Sequence, residues 1–238
     1  MNSPSPELIE GCDERYNRHY EIKILYHDER FLIVNKPFNL RVDGPTDKSK
    51  TLESHLQQAF PHKKLFLLHQ LDYSTSGIHC WGLTKKAAKA IGKLFQRRKI
   101  EKEYRALVNG HILKKELWID APIEQVSGTQ KVSVNTVNGK PSLTYVKVLA
   151  HGRLNSKPVT HVELHPKTGR KHQLRAHLAS IGHPILGDTY YDPNLTLQEF
   201  EKLNHRTHLH ARLIQIPLES ELIKVVTEDP FSFMYEQL

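Results

Sequence analysis

In HQLDYSTSG, residues 69–77, a mostly apolar run, KLFLLHQLD, ends in one carboxylate, Asp72. Two readings of that carboxylate are open. It can tie off a turn by accepting hydrogen bonds from the amides that follow, with Ser74 and Thr75 stiffening the loop. Alternatively, a carboxylate at a strand end, kept ionised by an arginine, can serve as a covalent nucleophile or a base. GRKHQLRAH offers two such arginines near a helix start, Arg170 and Arg175. A guanidinium forks onto a carboxylate with two parallel hydrogen bonds, which an ammonium does not. The competing reading of these arginines is a solvated basic face. Tyr104, in KEYRAL, is either core filler in a strand or a ring beside a cleft, able to stack on a base and exchange a proton through its hydroxyl.

A second feature is electrostatic. Between Lys85 and Arg105 there are nine basic residues against two acidic ones. Lys85, Lys89, Lys93 and Arg97 recur every fourth residue, one column of a helix, and Arg98 and Lys99 follow at once. This excess is larger than solubility requires and is read as a phosphate-tracking surface. The whole chain has 34 basic and 26 acidic residues, but its last twenty carry five acids and one lysine. The rest is therefore 33 basic against 21 acidic, a body suited to a polyanion such as nucleic acid.

Other chemistries find little support. His161, His165, His205, His208 and His210 invite a metal reading, but no HExxH accompanies them, and Cys12 and Cys80 are too few for a thiolate site or a disulfide framework. No metal is expected. No glycine pattern of a phosphate loop is present, and GDTYYDP reads as a turn. The apolar runs are much shorter than the ~20 residues of a membrane span, and the start of the chain does not read as a secretory signal. The expected setting is intracellular and reducing, with no membrane.

The elements that must position these residues follow from periodicity. Residues 1–18 read as a loose leader and residues 19–238 as a single domain of the α+β class. Strands are expected at Ile22–Tyr26, Phe31–Val34, KLFLLHQLD, GIHCWGL, EKEYRALVNGHI, SLTYVKVLAHG, VTHVELHP and HLHARLIQIPL. Helices are expected in TLESHLQQAF, from Thr84 with Ala88, Ile91, Leu94 and Phe95 on one face, and around Leu174, Leu178 and Ile181, ending at Gly182.

Taken together these residues resemble the RluA family of RNA pseudouridine synthases. ILYHDERFLIVNKPFNLRV is similar to its opening strand pair, HQLDYSTSG to its catalytic block, and KIEKEYRALVNG to the block bearing its tyrosine. HPKTGRKHQLRAHLASIGHPILGD with LHARLIQIPL resembles its arginine block and the apolar strand behind the base. The four blocks occur in the family's order from about Tyr20 to about Phe231, and the HQLDYSTSG form and DPF ending look closest to the eukaryotic RNA pseudouridylate synthase domain-containing branch. The resemblance implies a mixed, mainly antiparallel sheet flanked by helices with a catalytic cleft. It implies isomerisation of uridine to pseudouridine in RNA without cofactor or metal. The leader reads as too short for an S4-type module, and of the oligomeric states, which the sequence leaves open, a monomer is favoured. Asp72 would attack the sugar or take its proton, Tyr104 would help remove the proton from carbon 5, Arg175 would pair with Asp72, and Leu213 or Ile216 would wall the base. His69, Gln70, Thr75, Arg170, His172 and Gln173 would line the substrate. Gln70 departs from the family's arginine, and Tyr73 stands where a basic residue is frequent. This leaves an RNA-binding member without catalysis as an alternative, and a carboxylate-dependent nucleosidase as a third.

Overall fold

The computed structural model describes residues 8–13, 18–44, 51–219 and 221–238. Where one domain over 19–238 is expected, the chain divides into two compact units. One runs to Glu101 and adds Leu213–Thr227; the other comprises Lys102–Arg212 and Glu228–Leu238.

The first unit begins with antiparallel strands β1 (Leu8–Asp13), β2 (Arg18–His27) and β3 (Phe31–Lys36). β1 lies within the stretch expected to be loose. Its backbone pairs with β2 along its whole length, a non-local match that composition does not reveal. Residues 1–7 and 14–17 of that stretch lie outside the described ones. Asp28 makes the β2–β3 turn, its Oδ1 accepting from the amides of Arg30 and Phe31, each at 2.7 Å. α1 (Leu52–Ala59) starts at a reciprocal Thr51–Ser54 cap. β4 (Phe66–Leu67) and β5 (Ser76–Gly82) follow, then α2 (Lys85–Gln96), capped where the Thr84 hydroxyl accepts from Ala87 N at 3.1 Å.

The strand expected over KLFLLHQLD thus shrinks to two residues. Beyond Leu67 the ladder to β5 is replaced by side-chain bonds. The Cys80 amide donates to His69 Nε2 at 3.0 Å, and His79 Nε2 donates to the His69 carbonyl at 2.9 Å.

The second unit is built on β6 (Glu101–Asn109), β7 (Glu116–Asp120), β8 (Ile123–Gln125), β9 (Val132–Val134), β10 (Leu143–Leu154), β11 (Lys157–Pro166), α3 (Gln173–Ser180) and α4 (Leu197–Lys202). β12 (Leu209–Pro217) then leads back into the first unit, β13 (Leu222–Val226) follows it, and β14 (Glu236–Gln237) ends the chain. Strand order is β1-β2-β3-β5-β12 in the first unit, with β4 on β5 and β13 on β12. It is β12-β6-β11-β10-β14 in the second, with β7 on β10 and the small β8–β9 hairpin apart. α3 stops as expected, at Gly182 with φ +82°, the left-handed turn glycine favours. β7, β8, β9, β13, β14 and α4 are not legible from periodicity, being short or half-exposed. No helix among the described residues is long and apolar enough to cross a membrane.

Each unit has its own core. Ile33, Ile78, Ile91, Ile214, Ile216 and Ile223 meet in the first; Val108, Val146, Leu164, Leu174 and Leu178 meet in the second. Each such side chain contributes about 1.5–3 kcal/mol when fully buried. Imidazoles are buried as well. His79 is fully enclosed, and its Nδ1 has no hydrogen-bond partner among the described residues. Burial, with His69 and Lys36 adding to it, holds its imidazole well below the usual range. Burial likewise lowers His177, and lowers His208 to about 4.

The unfolded chain takes up these protons near pH 6.5 while the folded chain refuses them, so stability is lost as pH falls below about 6.5. The expected slope is about 1.4 kcal/mol per pH unit for each such imidazole. Urea unfolding between pH 7.5 and 5 measures it. His79→Gln, which cannot take up the proton, is expected to shed one proton's share, and a flat wild-type profile contradicts the assignment.

Candidate active site

Asp72 sits half-buried on the turn ahead of β5, its carbonyl accepting from Thr75 N at 3.1 Å. Three anchors fix this turn. His69 bonds twice to β5, and its ring stacks on His79 with centroids 4.4 Å apart. Thr75 is buried beneath the turn. The third anchor is Lys36, at the end of β3. Its side chain is 0% exposed, and Nζ donates to the carbonyls of Pro37 (2.9 Å), Leu40 (2.8 Å) and Tyr73 (3.4 Å). Burial pulls the Lys36 ammonium down to about 7, and the negative charge of Asp72 acts in the opposite direction. In the sequence Lys36 carries no signal of this role, because a lysine before a proline reads as a solvated turn residue. Gln70 is exposed and donates from Nε2 to Asp43 Oδ1 at 3.0 Å.

Tyr104 and Arg175 belong to the second unit. Tyr104 is half-buried on β6 opposite Leu164 and packs against the core under α3. Its neighbour Arg105, on the other face of the strand, is held by ion pairs to Glu103 (2.6 Å), Glu163 (2.9 Å) and Asp229 (3.1 Å). Arg175 is buried in α3 and places its fork on Asp188, Nε to Oδ2 and Nη2 to Oδ1, both at 2.7 Å. Its guanidinium also lies 5.3 Å and 5.2 Å from the ring centroids of Tyr190 and Tyr191. Asp188, Tyr190 and Tyr191 come from GDTYYDP, the stretch read only as a turn. Gly187 makes that turn feasible: its φ is +74°, and a Cβ there would lie 2.0 Å from the Arg206 carbonyl oxygen.

Several residues expected at the substrate have defined partners within the protein. The Gln173 amide is buried and fully used: Oε1 accepts from the Thr168 hydroxyl (2.7 Å) and Arg170 N (3.0 Å), and Nε2 donates to Leu143 O and the Thr144 hydroxyl, both at 3.0 Å. Thr75 is enclosed as described. Ile216 is 1% exposed and packs among Ile33, Ile78 and Ile223. Leu213, three residues away on the same strand, points to the opposite face and is half-buried, as the period of two requires. His172, with φ +50°, precedes α3, and its Nδ1 is hydrogen-bonded to the Tyr191 hydroxyl at 2.9 Å. The Arg170 guanidinium reaches the Pro141 carbonyl at 3.4 Å.

The basic column is exposed throughout: Lys85, Lys89, Lys93, Arg97, Arg98 and Lys99 all face solvent, while Ala87 and Ile91 are buried. The first turn of α2 carries no acid, although the helix dipole favours negative charge there. Lysines placed against that preference point to a polyanionic partner. Glu103, Glu163 and His165 offer ligand atoms within 4.8 Å of one another. Arg105 and Arg212 already sit on those carboxylates, Arg212 at 2.8 Å from Glu103, and repel a further cation.

Asp188→Asn strips the counter-charge from a buried guanidinium. The expected loss is about 3–5 kcal/mol of unfolding free energy, measured by urea denaturation; a loss under about 1 kcal/mol contradicts the pairing.

Residues 30–180 match the family model described as RNA pseudouridylate synthase. A mouse relative, RNA pseudouridylate synthase domain-containing protein 1, is 37% identical over 225 residues, covering 88% of this chain and 72% of its own. The dual-specificity RNA pseudouridine synthase RluA of Escherichia coli is 35% identical over 208 residues, covering 85% and 91%. The solved structure of human RNA pseudouridylate synthase domain containing 1 superposes with a TM-score of 0.79 at 36% identity, covering 91% of this chain and 89% of that one. For human domain containing 4 the values are 0.69, 27%, 87% and 88%. With these matches the mixed, mostly antiparallel sheet is the pseudouridine synthase fold. The chain belongs to the RNA pseudouridylate synthase family, isomerases that form pseudouridine in RNA.

Proposed function

We propose that Asp72 opens the reaction by attacking the ribose, or by taking a proton from it, as the bond between uracil N1 and sugar C1′ breaks. The uridine is first extruded from its stack. The detached base turns and C5 joins C1′; Tyr104 helps to take the proton off C5, and N1 gains one. Atoms and electrons balance within the nucleotide, so no cofactor or co-reactant is called for. Arg175 supplies fixed positive charge, Leu213 walls the uracil, and Lys85, Lys89, Lys93, Arg97, Arg98 and Lys99 carry the flanking phosphates. The observation that carries this reading is a half-exposed carboxylate on a turn tied down by a buried ammonium. The protein acts as a monomer in this reading.

Gln70 supports a second reading, an RNA-binding member without catalysis. Its neutral amide, held by Asp43, brings no positive charge beside the extruded base. Incubation with cellular RNA and mapping of pseudouridines separates the two. Wild type is expected to form pseudouridine without releasing uracil. Asp72→Asn is expected to bind RNA and form none, a loss of at least about 10³-fold for removal of a covalent nucleophile. Retained isomerisation by Asp72→Asn refutes the role of Asp72, RNA binding without isomerisation by wild type supports the second reading, and free uracil indicates a nucleosidase.

A further inference from the structure

Tyr190 has no part in this chemistry, yet 41% of its surface is exposed. Its placement is fixed. Its backbone N donates to Asp188 Oδ1 at 3.0 Å, the carboxylate that also grips Arg175. The Arg175 guanidinium lies over the ring, and the His172 ring meets it edge-on with centroids 5.7 Å apart. A ring held in this way loses little freedom when a flat ligand settles on it.

The surroundings of the ring are cationic. Lys131 Nζ, from the turn of the β8–β9 hairpin, lies 5.8 Å from the ring centroid. Lys171, one residue before His172, reaches back to the side-chain oxygen of Gln130 in the same turn, bringing its ammonium to the hairpin. Both lysines are exposed, and the Asp188 carboxylate beneath the ring is matched by Arg175. Trp118 makes a useful contrast. It is more exposed, at 56%, and packs on Tyr145 with centroids 5.0 Å apart, but Tyr145 is bonded to Glu116 and lies in the field of Glu163.

We infer that Tyr190 is a stacking platform for an unpaired RNA base other than the target uridine, with Lys131 and Lys171 on the adjoining phosphates. The inference rests on the RNA-isomerase reading for its ligand and adds a single-strand contact to it. Stacking on one aromatic ring takes any base and is typically worth a roughly 5- to 150-fold change in affinity.

The test uses the full chain and a fluorescently labelled, uridine-containing single-stranded RNA, with the same sequence as a duplex for comparison. Tyr190→Ala is expected to weaken single-strand binding roughly 5- to 150-fold and to leave duplex binding in place. In turnover it raises KM, and because the ring also flanks Arg175 any fall in kcat is smaller than the rise in KM. Tyr190→Phe is expected to restore the wild-type values. Lys131→Ala is expected to weaken binding less and to make its salt dependence shallower. Wild-type affinity in Tyr190→Ala, an equal loss in Tyr190→Phe, or an unchanged salt slope in Lys131→Ala each overturns the platform. Should wild type form no pseudouridine, the reaction assignment fails while these binding measurements still decide the platform.

Discussion

Lys36 places an ammonium where solvent does not reach, and the turn that carries Asp72 is built around that charge. Burying an ammonium is expensive unless its three donors find acceptors. Two of them are carbonyls just downstream in the chain, Pro37 and Leu40, and the third is Tyr73, 37 residues on and adjacent to Asp72. The demand of one cation for acceptors thus fastens the end of β3 to the turn that carries Asp72. His69 closes the other side by bonding to β5 through both its carbonyl and its ring. A short side chain on a loop is thereby held as firmly as one on a strand, which reactions sensitive to small displacements need.

The second unit applies the same physics to the opposite charge. Asp188 is fully buried and accepts both arms of Arg175, so each ion satisfies the other. Gly187 lets the turn approach Arg206 closely enough to deliver that carboxylate, and Tyr190 and Tyr191 flank the guanidinium. Gln173, Thr144 and His177 complete the support. His177 Nε2 donates to the Ala121 carbonyl, so its bare Nδ1 accepts from the Thr144 hydroxyl, which in turn accepts from Gln173. Every polar atom of this relay has an assigned partner, which fixes the start of α3 and with it Arg175.

What could be read from the sequence was what chemistry and local periodicity encode. Asp72, Tyr104 and Arg175 stand out by residue type and block order, and the cationic column of α2 by its spacing of four. Leu174, Leu178 and Gly182 announced α3. The misreadings share one cause, a partner distant in sequence. β1 exists because β2 pairs with it, and KLFLLHQLD leaves the ladder because His69 takes the Cys80 amide. Arg175 meets Asp188 through a turn that looked like punctuation. Ile216 and Leu213 differ by an odd number of residues, so a strand turns them to opposite faces; counting by two separates them, but only the fold says which face is sealed.

The buried ammonium beneath the Asp72 turn is the feature with the clearest consequence. Lys36→Met keeps the length and apolar body of the side chain and removes the charge that holds Tyr73 and faces Asp72. Single-turnover isomerisation of one RNA substrate, with RNA affinity measured alongside, reads the effect directly. The account predicts a fall in rate on the order of 100-fold, the scale of a small misplacement of a reacting group, with RNA still bound. A folded Lys36→Met protein that isomerises uridine at the wild-type rate contradicts it.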